Sequence, residues 1–212
     1  GQDPTTSTAN VLTELVAGAL SDARQRERKI TDADLSKLPA TKDVITALKR
    51  SVNSKVKIIA EVKRSSPSKG ALAQISDPVA LAQQYQVAGA NVISVLTESR
   101  RFNGSIEDLV KIRQVIDLPI LRKDFIATEF QVKETKLIGA DLLLLIVAAL
   151  DFSKLRDLNQ LANEIALHVL IEVHNNAELE TAMKLNPKFI GVNARNLKNL
   201  EVDESNFAEL IP

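Results

Sequence analysis

The sequence predicts an α/β fold: a (β/α)8 TIM barrel with an N-terminal helical extension, six of its eight βα units lying in this chain. Three observations predict it. From residue 56 onward, short apolar runs alternate with amphipathic helical stretches, the rhythm of βαβ units around a parallel sheet. Gly89-Ala90-Asn91 and Gly139-Ala140-Asp141 repeat one device, a glycine that stops a helix just before a strand. The turn after the first strand, Lys63-Arg64-Ser65-Ser66-Pro67-Ser68-Lys69-Gly70, has neither the G-x-G-x-x-G of a dinucleotide fold nor Walker A spacing. That favours a barrel over a doubly wound sheet.

The elements follow in order. Residues 1–9 are small and polar and begin with Gly; they read as a processed end and as flexible chain. Residues 10–50 form the helical extension. Val11, Leu12, Leu15, Val16, Ala19 and Leu20 recur at helical spacing within Asn10–Arg28, whose basic far end suits a helix C-terminus. Val44, Ile45 and Leu48 share a face of a second helix over Asp43–Arg50. Residues 51–212 hold βα units 1–6. Strands are predicted at Val56–Val62, Val92–Leu96, Pro119–Leu121, Leu142–Val147, His168–Val173 and Phe189–Asn193. Helices are predicted near Pro78–Val87, Ile106–Val115, Glu129–Leu137, Phe152–Ile165 and Ala177–Leu185, with a further one beginning near Asp203. Units 7 and 8 are missing, so the first and sixth strands are expected to present unpaired edges.

Composition narrows the function. The 212 residues carry 27 Lys+Arg against 27 Asp+Glu, with 45% apolar and 25% charged residues. This is the make-up of a globular domain, not of a disordered chain or of a protein that holds nucleic acid by bulk charge. There is no cysteine, hence no disulfide scaffold and no thiol nucleophile. The longest apolar run, Leu142–Leu150, is too short to span a bilayer, and no secretory signal is expected at the start. The expected location is cytoplasmic.

Strands of a parallel sheet are covered on both faces and should be nearly all apolar. Here several end in charge. Period 2 places Ile59, Glu61 and Lys63 on one face of the first strand, Leu121 and Lys123 on one face of the third, and Leu170 and Glu172 on one face of the fifth. The sixth runs into Asn193-Ala194-Arg195. All lie at C-terminal strand ends, the catalytic rim of a barrel. One such residue alone reads as a solvated side chain just past its strand. Four at matching depth read as a site, because isolated buried charges are too costly to leave unpaired. Two lysines and two glutamates suit an anionic substrate and proton transfer.

His168 and His174 lie six residues apart along one strand, without metal-ligand spacing around them, so no metal is expected. His168 reads as a packing residue at the barrel bottom, His174 as a neighbour of the rim. Phe102 and Phe125 fall in βα loops, where a rim aromatic can stack on a substrate ring.

At these residues the chain resembles indole-3-glycerol phosphate synthases, over nearly all of residues 10–212. The matching motifs are Ile59-Ala60-Glu61-Val62-Lys63-Arg64-Ser65-Ser66-Pro67-Ser68, Phe102-Asn103-Gly104, Leu121-Arg122-Lys123-Asp124-Phe125, Gly139-Ala140-Asp141 with Leu143–Ile146, Ile171-Glu172-Val173-His174, and Gly191-Val192-Asn193-Ala194-Arg195-Asn196-Leu197. Each is weak alone; all six in order are specific. The resemblance implies an N-terminal extension packed over the barrel mouth. It implies conversion of 1-(2-carboxyphenylamino)-1-deoxyribulose 5-phosphate to indole-3-glycerol phosphate, with loss of carbon dioxide and water. Lys123 matches the general acid that protonates the ketone. Glu172 matches the acid/base group of the dehydration, Lys63 the partner of the substrate carboxylate, and Glu61 the carboxylate that holds the lysines. Asn193 and Arg195 match polar groups around the substrate, with Ser66, Phe102, Phe125 and Leu197 completing the binding set. No cofactor is implied. The expected partner is a small phosphorylated substrate, with neither nucleic acid nor membrane, and a monomer is the working expectation.

Ser65–Gly70 reads as a mobile lid over the site. The family's phosphate-cradling turns, of Glu-Ser-Gly-Ile and Gly-Glu-Ser type after strands 7 and 8, do not occur in the 212 residues. The piece alone is therefore expected to turn over poorly. Two other readings remain at this level: a Schiff-base aldolase using Lys123 or Lys63 as nucleophile, and an inactive fragment that assembles with another chain. A phosphoribosylanthranilate isomerase would need a cysteine or aspartate acid/base pair and usually lacks the N-terminal helices.

Overall fold

The structure, a computed structural model, describes residues 4–49, 55–64, 77–193 and 208–210, with backbone only at 4–10 and 208–210. Three helices come first: α1 (Pro4–Arg26), α2 (Asp32–Ser36) and α3 (Val44–Leu48). Then β1 (Ile59–Val62), α4 (Pro78–Val87), β2 (Val92–Leu96), α5 (Ile106–Val115), β3 (Ile120–Lys123), α6 (Glu129–Leu137) and β4 (Leu142–Ile146) alternate. A single 3-10 turn, Val147–Ala149, leads to α7 (Phe152–Glu164), β5 (His168–Val173), α8 (Asn176–Met183), β6 (Phe189–Val192) and β7 (Ala208–Leu210). β1 to β6 are parallel and pair strictly in sequence order, so the sheet is the wall of a partial (β/α)8 barrel.

Local chemistry explains the regularity. Each of the five βα helices starts on a side-chain cap: Asp77, Ser105, Thr128, Asp151 and Asn175 each accept a main-chain N–H in the first turn. α4 and α6 end before Gly89 (φ 98°) and Gly139 (φ 103°), left-handed positions that favour glycine. The residue two places on does a second job. Asn91 accepts the Ile58 N–H at 2.8 Å and Asp141 accepts the Ile120 N–H at 2.9 Å, so each fixes where the neighbouring strand begins. This is why β1 starts at Ile59 rather than at Val56.

Alternation along the strands builds three apolar layers. Ile59, Val92, Leu121, Leu142, Leu144, Ile146, Leu170 and Phe189 point into the barrel. Ile93, Val95 and Ile120 pack outward on Leu109 and Ile112 of α5. Leu143, Leu145, Val169 and Ile171 pack outward on Leu155 and Leu158 of α7. Burying side chains of this size contributes roughly 1.5–3 kcal/mol each.

The extension differs from expectation in three ways. α1 begins at Pro4, a residue suited to a first helical position, and not near Asn10. α2 comes in addition, on a capping box between Thr31 and Asp34. Only α1 lies at the mouth: Arg100 binds its Asp22 at 2.9 Å, and Arg26 binds Glu134 of α6 at 2.9 Å. α3 sits at the other end, where Val44 and Leu48 pack on Val92, Leu142 and Phe189. The Lys42 N–H bonds Asp141 there, and Thr41 Oγ1 bonds the Ala166 carbonyl. β6 also departs from expectation. Its outer edge is not free, because β7 pairs with it antiparallel, Phe189 opposite Leu210. Residues 201–207, where a sixth βα helix was expected to start, lie outside the described residues, and Ala208–Leu210 is strand.

Candidate active site

Register and pleat carry the charged strand ends to one face. Glu61 pairs with Ser94 and Ser94 with Leu121, so Glu61 faces inward with Leu121; Lys123, two residues on, does too. Ile146 pairs with Glu172, and Glu172 with Gly191, which puts Glu172 on the same inward face two strands further. Leu144, Ile146 and Leu170 form the apolar floor between the two groups.

The first group is a triad. Lys123 Nζ donates to Glu61 Oε1 at 2.6 Å, and Lys63 Nζ lies 3.6 Å from Glu61 Oε2. The side chains stay 27–38% exposed, open enough for a ligand to reach. Burial pushes the Glu61 carboxyl up, but the Lys123 and Lys63 ammonium groups outweigh it and hold the group below its ordinary value. Glu61 is therefore an anion at neutral pH, balanced by one lysine and outnumbered by two. The net +1 is matched to an anionic ligand.

The second group is Glu172 with Asn193 and His174. Asn193 Nδ2 donates to Glu172 Oε1 at 3.2 Å, and His174 Nε2 lies 3.7 Å from Glu172 Oε2. His174 is itself held by Glu178 of α8, with Nδ1 and the main-chain N–H at 3.0 and 3.1 Å from Oε1. Asn193 and His174 thus flank the two Glu172 oxygens and hold the carboxylate in one orientation. Above β2 and β3, the rings of Phe102 and Phe125 face each other, centroids 6.4 Å apart.

A buried network fixes β3 from behind. Arg122, fully buried, donates to Thr97 Oγ1, the Gln131 carbonyl, Thr135 Oγ1 and Glu134 Oε1 at 2.9–3.2 Å. Glu134 also accepts Arg26 from α1, in bidentate geometry at 2.9 and 3.0 Å. Asp124 accepts Thr97 Oγ1 at 2.6 Å. These residues escaped the sequence reading because a charged strand residue looks the same whether it faces the barrel or the helices. The alternation was the available signal: Arg122 falls on the opposite parity from Leu121 and Lys123.

Ser66, Arg195 and Leu197 lie outside the described residues, as does Ser65–Gly70. Arg64, at the edge of that segment, forms a bidentate pair with Asp108 of α5 at 2.9 and 3.0 Å. Among the described residues no cluster of three or more His, Asp or Glu side chains is arranged to hold a metal ion. No described helix is long and apolar enough to cross a membrane. A cleft of about 730 Å³ lies at the opposite strand ends, lined by Thr41, Lys136, His168 and Phe189 among others, away from the charged groups.

The family model for indole-3-glycerol phosphate synthase matches residues 12–212. The chain belongs to the indole-3-glycerol phosphate synthase family. It is 49% identical over 207 residues to the indole-3-glycerol phosphate synthase of Streptomyces griseus, covering 96% of this chain and 76% of the relative. With the Micrococcus luteus synthase it shares 45% identity, over 95% of this chain and 77% of the relative. A solved N-acetylmannosamine-6-phosphate 2-epimerase from Clostridium perfringens aligns over 67% of this chain and 66% of its own, at TM-score 0.48 and 15% identity.

Membership of the synthase family makes this chain a carbon–carbon lyase, a decarboxylase of tryptophan biosynthesis, and an enzyme of this family binds a small phosphorylated substrate.

Proposed function

We propose that the inward-facing groups divide the synthase reaction between them. The substrate is 1-(2-carboxyphenylamino)-1-deoxyribulose 5-phosphate, bound with its aromatic ring against the wall that Phe102 and Phe125 form together. Its benzoate pairs with Lys63. Lys123 donates a proton to the ketone oxygen as the ring carbon bearing the carboxylate attacks the carbonyl carbon. The new carbon–carbon bond forms, the carbonyl becomes a hydroxyl, and carbon dioxide leaves with its bonding pair returned to the ring. Glu172 then serves the dehydration, in which a proton is removed from the ring system and water departs. Glu61 orients both lysines, and Asn193 orients Glu172. Ser66, Arg195 and Leu197 complete the binding set. The setting is the cytoplasm.

One observation supports this reading above the others: a lysine at 2.6 Å from a carboxylate that is shared with a second lysine, inside a barrel rim. Ring closure needs a proton donor at the carbonyl and a folded, oriented chain, and a fixed ammonium supplies the first. The test is steady-state turnover of the authentic substrate, followed by indole fluorescence, in parent and Lys123→Met. The reading requires product from the parent, however slowly it forms without the phosphate-cradling turns, and a large loss of kcat in the variant. Borohydride trapping of a covalent adduct on Lys123 or Lys63 would instead support imine chemistry.

A further inference from the structure

The β2–α5 loop holds a buried carboxylate that the reaction above does not use. Glu98 is 3% exposed. Its Oε1 accepts the Arg100 N–H at 2.8 Å and the Arg101 N–H at 3.2 Å. Its Oε2 accepts the Arg101 N–H at 2.8 Å and the Phe102 N–H at 2.9 Å. Three consecutive main-chain N–H groups thus converge on one carboxylate, and its own carbonyl accepts the Gly104 N–H at 2.8 Å. A buried anion is expensive unless hydrogen-bonded in this way. The bonds force a tight knot. Asn103 takes a left-handed φ of 53°, and Gly104 comes so close to the end of β2 that a Cβ would lie 2.1 Å from the Leu96 carbonyl oxygen. The last of the three captured N–H groups belongs to Phe102, whose ring stands 6.4 Å from Phe125.

We propose that Glu98 is a positioning residue for the substrate's aromatic ring: by gathering the N–H groups of residues 100–102 it holds Phe102 at its distance from Phe125. The inference rests on the reading of Phe102 as part of the substrate wall. It separates Glu98 from the neighbouring loop contacts to α1, in which Ser99, Arg100 and Arg101 reach Asp22 and Glu14 at the exposed side.

The test is a double-mutant cycle of Glu98→Gln and Phe102→Ala in the full chain, reading KM, kcat and thermal midpoint. Glu98→Gln replaces one acceptor oxygen with an NH2 that meets main-chain donors. The expected result is a KM raised about tenfold with kcat within about threefold of the parent. In the Phe102→Ala background, Glu98→Gln should raise KM by less than about twofold. Glu98→Asp, which keeps the carboxylate, should recover part of the parent KM, and it carries the same cycle where Glu98→Gln does not fold. KM effects that simply multiply, or an unchanged KM with only a lowered midpoint, would overturn the inference and leave Glu98 a structural residue. A parent-like KM in Phe102→Ala alone would overturn the placing of Phe102, and the inference with it.

Discussion

Lys123 donates to Glu61 across 2.6 Å although β2 runs between the strands that carry them. The contact is possible because both side chains lean inward at the rim over Ser94, a small residue in register with Glu61. A larger side chain at that point would stand between the partners. The pair is thus a product of barrel curvature rather than of strand pairing.

Removing the ammonium tests the acid. Lys123→Met is expected to lower kcat by about 10²–10⁴-fold, the range for a lost proton donor, with a smaller change in KM. Steady-state kinetics together with a circular-dichroism melt checks it. A kcat within about threefold of the parent in a folded variant would remove Lys123 from the chemistry.

Glu61 should reveal itself through pH. Its folded value is depressed below the ordinary 4.5, so its contribution to stability is complete above 4.5 and is lost as pH falls through the folded value. Glu61→Gln is therefore expected to be less stable than the parent at neutral pH, with the difference shrinking in acid. Urea unfolding of both proteins across the acid range measures it; a difference that does not change with pH counts against the lysine–carboxylate account.

Glu172→Gln keeps the shape of the side chain but not its base. Turnover is expected to fall about 10²-fold or more, whereas Asn193→Ala, which removes a hydrogen bond that orients Glu172, should cost about tenfold. The order of these two losses is the informative result, read from kcat at saturating substrate.

Behind β3, Glu134 faces Arg122, which has no exposed surface, and Arg26, which is 36% exposed. Glu134→Ala removes the nearer of the two carboxylates that face the buried Arg122 guanidinium, leaving Asp124 at 3.6 Å, and is expected to cost about 1.5–3 kcal/mol. Arg26→Ala leaves Glu134 still paired with Arg122 and should cost about 1 kcal/mol or less. Equilibrium denaturation distinguishes the two, and equal losses would contradict this ranking.

His168 is a second pH probe, at the barrel bottom. Burial lowers its value below 6.5 and Lys188 adds to the effect, against weaker opposition from Asp43 and Asp141. A lowered histidine binds fewer protons folded than unfolded, so the protein should lose stability as pH falls below 6.5. His168→Gln should flatten that part of the curve. Thermal midpoints of both proteins at slightly alkaline and mildly acidic pH test it.

Much of this was legible in the residues, and the exceptions share a cause. Val92–Leu96, His168–Val173, Pro78–Val87, Ile106–Val115 and Glu129–Leu137 coincide with the predicted bounds, because periodicity and caps are local properties. The inward parity of Glu61, Lys123 and Glu172 was likewise local. What was missed depends on partners far along the chain. Glu98 drew no reading from the sequence, because its burial follows only from the loop folding back on it. α3 carried a readable apolar face, but which end of the barrel it would cover depends on Leu142 and Phe189, far along the chain in β4 and β6.

That last placement constrains the order of assembly. The sheet can grow strand by strand from its amino-terminal side, since each strand meets its predecessor. Val44 and Leu48 must wait, because Leu142 and Phe189, part of the surface they seat on, come from β4 and β6. The segment that leaves the ribosome early is thus locked late, and pulse-labelled amide exchange during refolding should find it protected only after β4 to β6.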